Sequence, residues 1–66
     1  MNESFKGMSC LQIAELGHRA QRDDDYIRAA ECYREAARVA AWPQDHHRFK
    51  EAAADCDTLA LTLQRA

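Results

Sequence analysis

The chain is poor in residues that mark special loops: its 66 residues include only Gly7, Gly17 and one proline. Two separated glycines do not make a glycine-rich phosphate loop. Long apolar runs are also missing, and no window approaches the roughly 18 apolar residues of a membrane span. The first residues, Met1 to Lys6, lack the apolar core of a signal peptide. These absences predict a cytoplasmic protein without a membrane span.

Basic residues are not in excess either. Nine Lys and Arg face eleven Asp and Glu, which gives a formal charge of -2, and no basic stripe is present. A nucleic-acid surface usually needs clustered cations to neutralise phosphates. The composition therefore predicts no nucleic-acid partner.

Cysteines are few, and their spacing contains no CxxC pair: Cys10, Cys32 and Cys56 lie more than twenty residues apart. In a reducing compartment they are expected to be buried small apolar groups. A zinc site that pairs them with His46 or His47 is the alternative, but four ligands would have to converge. We expect no metal and no cofactor.

What is present is alanine at helical spacing. Thirteen alanines make up much of the 47% apolar fraction, so close approach of helices must replace bulky side chains. A chain of this length forms one domain, 1-66, with a thin core.

Three helices are predicted, over about 9-22, 24-41 and 43-64. Ser9 and Gln12 form a capping-box pattern before the first helix. The aspartates at 23-25 suit the start of the second, and Trp42-Pro43 the junction with the third. The expected core stripes are Cys10, Ile13, Leu16, Gly17 and Ala20; Tyr26, Ala30, Tyr33, Ala37 and Ala40; and Phe49, Ala53, Cys56, Ala60 and Leu63, widened by Ala52 and Leu59. The fold class is all-α, a three-helix antiparallel bundle.

The segment from Ile13 to about Ala41 resembles one tetratricopeptide (TPR) repeat, a helix-turn-helix unit. The residues that carry the resemblance are Leu16-Gly17, Ala20, Asp25-Tyr26, Ala29, Tyr33 and Ala36. The resemblance implies a TPR-like hairpin in which Gly17 and Ala29 lie where the two helices cross most closely. Helix three has Lys50-Glu51 where a second repeat would have its Leu-Gly pair, so it is expected to be a capping helix.

The MIT (microtubule-interacting and trafficking) domain, a three-helix module close to the whole length of this chain, is the second family that the pattern resembles. An MIT-like module would hold an amphipathic helix between its own helices. Both resemblances imply a protein that works by binding another protein.

The candidate binding surface is the face of helix one opposite its core stripe, which carries Leu11, Ala14, His18 and Arg22. In TPR proteins this face lines the concave groove that holds peptides. A leucine, a histidine and an arginine on one ridge suit a segment with an apolar side chain and a carboxylate. Trp42 either closes the end of the bundle against Phe49 or Val39, or is exposed as an interface anchor.

An enzyme is not expected. His18, His46 and His47 are possible bases, but the cysteines fall on or near core stripes, where a thiol has a raised pKa and is inert. The predicted function is a protein-protein interaction module, a small adaptor, chaperone-like protein or regulatory subunit that binds a peptide or helix. The alternative from another class is a homo-oligomeric assembly element, since leftover apolar residues such as Leu61 could be covered by a second copy.

Overall fold

The structure, a computed structural model, describes residues 5-65 and the side chains of residues 5-64. It contains three helices, α1 (Cys10–Arg22), α2 (Tyr26–Val39) and α3 (Pro43–Arg65), and residues 5-65 include no strand. The predicted all-α three-helix architecture is confirmed. α2 packs against both α1 and α3, whereas α1 and α3 have few contacts with each other. None of the helices in this part of the chain has the length and hydropathy to cross a membrane.

Local side-chain chemistry determines where each helix begins. The Ser9 hydroxyl accepts a hydrogen bond from the Gln12 backbone N–H (3.3 Å), and the Gln12 side chain accepts one from the Ser9 N–H (2.8 Å). This is the predicted capping box. The carboxylate of Asp25 accepts from the N–H of Arg28 and caps α2. Pro43 is the first residue of α3, as predicted.

The bounds of α2 differ from the predicted 24-41. Asp24 has φ 61°, a left-handed backbone that cannot belong to the helix, so α2 starts at Tyr26. Ala40 has an extended backbone (ψ 133°) and ends the helix after Val39. Both shifts arise from backbone geometry at the turns, which the apolar pattern does not report.

The core lies where α2 is enclosed by its two neighbours. Tyr33, 2% exposed, stacks on Phe49 with ring centroids 6.3 Å apart and planes within 12° of parallel. Small residues surround the aromatic pair and let the helices approach closely. The buried members are Ile13, Ala14, Ala29, Ala30, Cys32, Tyr33, Ala36, Ala37, Phe49, Ala53 and Cys56.

The expected stripe of α3 is wrong at its C-terminal end. Leu63 is 54% exposed and Leu59 40% exposed, although both were expected to face the core. α3 has 23 residues and α2 only 14. The last turns of α3 therefore run beside the α1–α2 turn and past it, and no helix covers them. Leu61, expected to point away from the core, is exposed.

Candidate functional site

The groove between α1 and α3 is one of two neighbouring concavities lined by predicted site residues. It has a volume of about 360 Å³. It exists because α1 and α3 both pack on α2 but hardly on each other. We call it the α1–α3 groove; its lining residues are Leu11, Ala14, Glu15, His18, Tyr33, Arg48, Phe49 and Ala52.

Three of the predicted partner-binding residues form the α1 wall of this groove. Leu11 and His18 are exposed, as expected for a binding ridge. Ala14 is different: it is 4% exposed and belongs to the core. The expectation of an exposed Ala14 was wrong, because α3 lies beside α2 on the side of α1 where Ala14 is found. Its methyl group contributes to the inner surface of the groove.

The floor of the groove is the edge of Tyr33, held by two polar partners from α1. The Tyr33 hydroxyl lies 2.9 Å from Oε1 of Gln21 and 2.9 Å from Nδ1 of His18. A phenol has one proton, and Oε1 of Gln21 can only accept, so Tyr33 donates to Gln21 and accepts from His18 Nδ1–H. Burial raises the pKa of Tyr33, which keeps the hydroxyl protonated.

This hydrogen-bond chain determines what His18 can offer to a ligand. Because Nδ1 carries a proton, Nε2 of the neutral ring is an acceptor, and in the protonated ring it becomes a cationic donor. The ring also meets Tyr33 edge-on, with centroids 5.6 Å apart. His18 is thereby fixed in orientation on the groove wall.

The opposite wall comes from α3 and was missed in the sequence. The guanidinium of Arg48 lies 4.7 Å above the Phe49 ring and donates to Asp45 at 3.2 Å. Ala52 is half-buried, and its small side chain leaves the groove open beside Arg48 and Phe49. The sequence prediction considered only the exposed face of α1, so it could not identify the groove residues that α3 contributes. The sequence feature that could have indicated this wall was Ala52, because it extends the apolar stripe of α3 to one side.

Arg22 lies in a second, open furrow that continues the first along α1. Its lining residues are Glu15, His18, Gln21, Arg22 and Tyr26, so Glu15 and His18 belong to both concavities. Arg22 forms no ion pair within the described part of the chain. Its charge is thus available beside His18.

Trp42 is not brought together with the other predicted site residues. It lies in the connection between α2 and α3 and is 65% exposed. The expectation that it closes the bundle against Phe49 or Val39 was wrong, because the chain turns into α3 directly at Pro43. Its indole does not line the α1–α3 groove.

The cysteines have the chemistry of structural residues. Cys32 and Cys56 are buried free thiols, and burial raises the pKa of each. A protonated, enclosed thiol is a poor nucleophile. Cys10 is free and partly exposed. In residues 5-64 no three His, Cys, Asp or Glu side chains are grouped so that they could hold a metal ion.

Comparison of the chain with protein-family models, with curated proteins and with solved structures gives no match.

Proposed function

We propose that this chain is a protein-binding domain, of the TPR-like kind, that holds a short segment of a partner protein in the α1–α3 groove. The observation that supports the proposal is the separation of α1 and α3 above the Tyr33–Phe49 pair. Two parallel walls with an aromatic floor leave an elongated space. Ligand sites are typically concave and mostly apolar, with a few fixed polar groups.

The two ends of the groove suit different parts of one segment. At the Leu11 end, Phe49 and Ala52 offer apolar surface for a large apolar side chain. In the furrow that continues the groove past His18, Arg22 and the oriented His18 can bind a carboxylate. The preferred ligand therefore carries a large apolar residue followed or preceded by Asp, Glu or a terminal carboxylate. The role is that of an adaptor or regulatory subunit in the cytoplasm.

The test uses peptides selected on the full chain from a phage-displayed random library. Selected sequences should share a large apolar residue next to an acidic group. Titration into isotope-labelled protein should shift the amide signals around Leu11, His18 and Ala52 more than those elsewhere. Shifts centred outside the groove would contradict the proposal.

Two matched pairs of variants sharpen this test. Ala52→Lys places a long side chain in the groove, whereas Ala54→Lys puts the same residue on an exposed position of the same helix. Arg22→Glu reverses the charge at the furrow, and Arg19→Glu makes the same change elsewhere in the last turn of α1. We expect the first member of each pair to weaken peptide binding about tenfold or more and the second to leave it unchanged. Equal effects within either pair would reject the groove.

Self-assembly through the same groove is the competing function. Sedimentation of the free chain distinguishes the two: a monomer of 7.5 kDa supports a partner segment. A dimer that Ala52→Lys dissociates would replace the proposed function by assembly.

A further inference from the structure

A third concavity lies between the C-terminal turns of α3 and the α1–α2 turn. Its volume is about 200 Å³. It shares no lining residue with the α1–α3 groove, and it shares Tyr26 with the furrow that holds Arg22. We call it the α3 cleft; its lining residues are Asp24, Asp25, Tyr26, Ile27, Ala60, Leu63 and Gln64.

The helix end that forms this cleft has an unusual surface for so charged a chain. Thr58 to Gln64 contains no charged residue, although 30% of the sequence is Asp, Glu, Lys or Arg. Leu59, Leu61 and Leu63 are all at least 40% exposed there. Ile27 on α2, 56% exposed, continues the apolar surface across the cleft.

The two threonine hydroxyls of this helix end already donate to backbone carbonyls. The hydroxyl of Thr58 donates to the carbonyl of Ala54 (3.1 Å), and that of Thr62 donates to the carbonyl of Thr58 (3.0 Å). Covering these threonines therefore does not require a new partner for their protons. Burying these two threonines under a partner therefore costs less than burying free hydroxyls.

The opposite edge of the cleft is acidic. Asp23, Asp24 and Asp25 form the turn, and none of them pairs with a Lys, Arg or His side chain in residues 5-64. Asp25 caps α2, and Asp24 accepts a hydrogen bond from the Tyr26 hydroxyl at 3.3 Å. An apolar cleft whose edge carries carboxylates without an ion pair in residues 5-64 is complementary to apolar side chains next to cations.

We infer that the α3 cleft is a second binding site, which takes a partner segment presenting apolar side chains beside Lys or Arg. Ile27 and Leu63 contact the apolar side chains, and Asp24 and Asp25 attract the cations. A second copy of this chain fits less well, because symmetric contact through the cleft brings two aspartate turns together. An anionic membrane surface is repelled by the same carboxylates. The site selects the charge opposite to that selected by the α1–α3 groove.

The probe for this site is a synthetic amphipathic helix of leucine and lysine, with the leucines at helical spacing, compared with a twin in which glutamate replaces lysine. The titration uses the full chain carrying Ala52→Lys, so that the α1–α3 groove, which is proposed to take acidic segments, is blocked. Calorimetry should then show one bound cationic peptide and no binding of the anionic twin. The affinity should fall with added salt, because the carboxylates are exposed. Binding of both peptides with equal affinity would overturn the charge assignment.

A leucine pair separates the cleft from diffuse electrostatic attraction. Leu63 lines the cleft, and Leu61, similarly exposed, does not. Leu63→Asp should weaken binding of the cationic peptide about tenfold, although it adds a negative charge that would strengthen any non-specific attraction. Leu61→Asp should not weaken it. If Leu63→Asp binds as well as the parent chain or better, the cleft is not the site.

The carboxylates are tested by Asp24→Asn together with Asp25→Asn. Asparagine tolerates the left-handed backbone of Asp24 and caps a helix about as well as aspartate, so the fold should persist. The double variant should bind the cationic peptide several-fold more weakly, with less dependence on salt. An unchanged salt dependence would overturn the role of the turn. A dimer of the free chain that Leu63→Asp dissociates would assign the cleft to a second copy instead.

Discussion

Gly17 and Tyr33 meet where α1 crosses α2. A Cβ at position 17 would lie 3.0 Å from Cε1 and 3.1 Å from Cζ of the Tyr33 ring. The ring cannot easily retreat, since His18 and Gln21 hold its hydroxyl and Phe49 lies on its other side. Glycine is thus required here by the close approach of an aromatic ring, whereas its backbone is ordinary helix.

Gly17→Ala tests this contact. Alanine improves helix propensity by about 1 kcal/mol, but overpacking a fixed site costs about 1 to 3 kcal/mol. We expect a net loss of roughly 1 kcal/mol in the free energy of unfolding by urea. In a Tyr33→Leu background the ring is gone, and the same change should be neutral or stabilising. A gain in the parent chain would show that Tyr33 moves freely.

The sequence predicted the small residue at position 17 but not the residue that requires it. The resemblance to a TPR hairpin implied a close crossing of Gly17 with Ala29, and the ring of Tyr33 is what lies against Gly17. Ala14 was misjudged for a related reason. The periodicity of one helix identifies its apolar face. It does not show whether another helix also covers residues at the border of that face, such as Ala14.

At the scale of the helices, α2 depends on α3 for its C-terminal end. His46 lies within hydrogen-bond distance of the Ala37 carbonyl, with Nδ1 and O 2.8 Å apart. A carbonyl only accepts, so Nδ1 carries the proton and donates. The Ala37 carbonyl also accepts a longer bond from the Ala40 N–H (3.3 Å), so the imidazole adds a second hydrogen bond to the last turn of α2. The next residue, His47, pairs only with exposed Glu51.

His46→Ala should therefore destabilise the protein more than His47→Ala does. The partly buried hydrogen bond is worth about 1 kcal/mol, whereas an exposed pair within one helix contributes at most a few tenths. The two substitutions make the same change in helix propensity, so the difference between their urea midpoints isolates the contact with Ala37. Equal midpoints would contradict a capping role for His46.

The starts of α1 and α3 were predictable because capping is local, whereas α2 begins two residues after the predicted position because Asp24 has a left-handed backbone. Each residue that caps or opens a helix lies within three residues of the start of that helix: Ser9, Gln12, Asp25 and Pro43. The end of α2 could not be predicted, since it depends on a backbone dihedral at Ala40. The exposure of Leu63 could not be predicted either, since it depends on how far the neighbouring helix extends. The α3 wall of the groove was missed for the same reason: pairing between distant helices is absent from a local pattern.

At the scale of the whole molecule, stability depends on groups that the core keeps protonated. Burial raises the pKa of Cys32, Cys56 and Tyr33. In the unfolded chain a thiol ionises near pH 8.5, at about its ordinary value. The unfolded state then binds fewer protons than the folded one, so stability falls as the pH rises. The contribution is fully present below about pH 8.5 and is lost above it.

Unfolding by urea at increasing pH measures how far stability depends on the protonation of these buried groups. We expect urea midpoints that are flat between about pH 6 and pH 8 and fall progressively above that range. The double variant Cys32→Ala, Cys56→Ala should be less stable at neutral pH because cavities form, but its midpoint should fall less steeply with alkali. An identical slope in the double variant would show that the two thiols do not cause the loss.

Under the proposed function, the arrangement of the three helices leaves the width of the α1–α3 groove adjustable. α1 is anchored to α2 and shares few contacts with α3, so α1 can tilt without opening the Tyr33–Phe49 stack, which joins α2 to α3. A groove of adjustable width can hold segments of different diameter, from an extended strand to a narrow helix. One small domain of the proposed kind would then bind segments from several unrelated partner proteins.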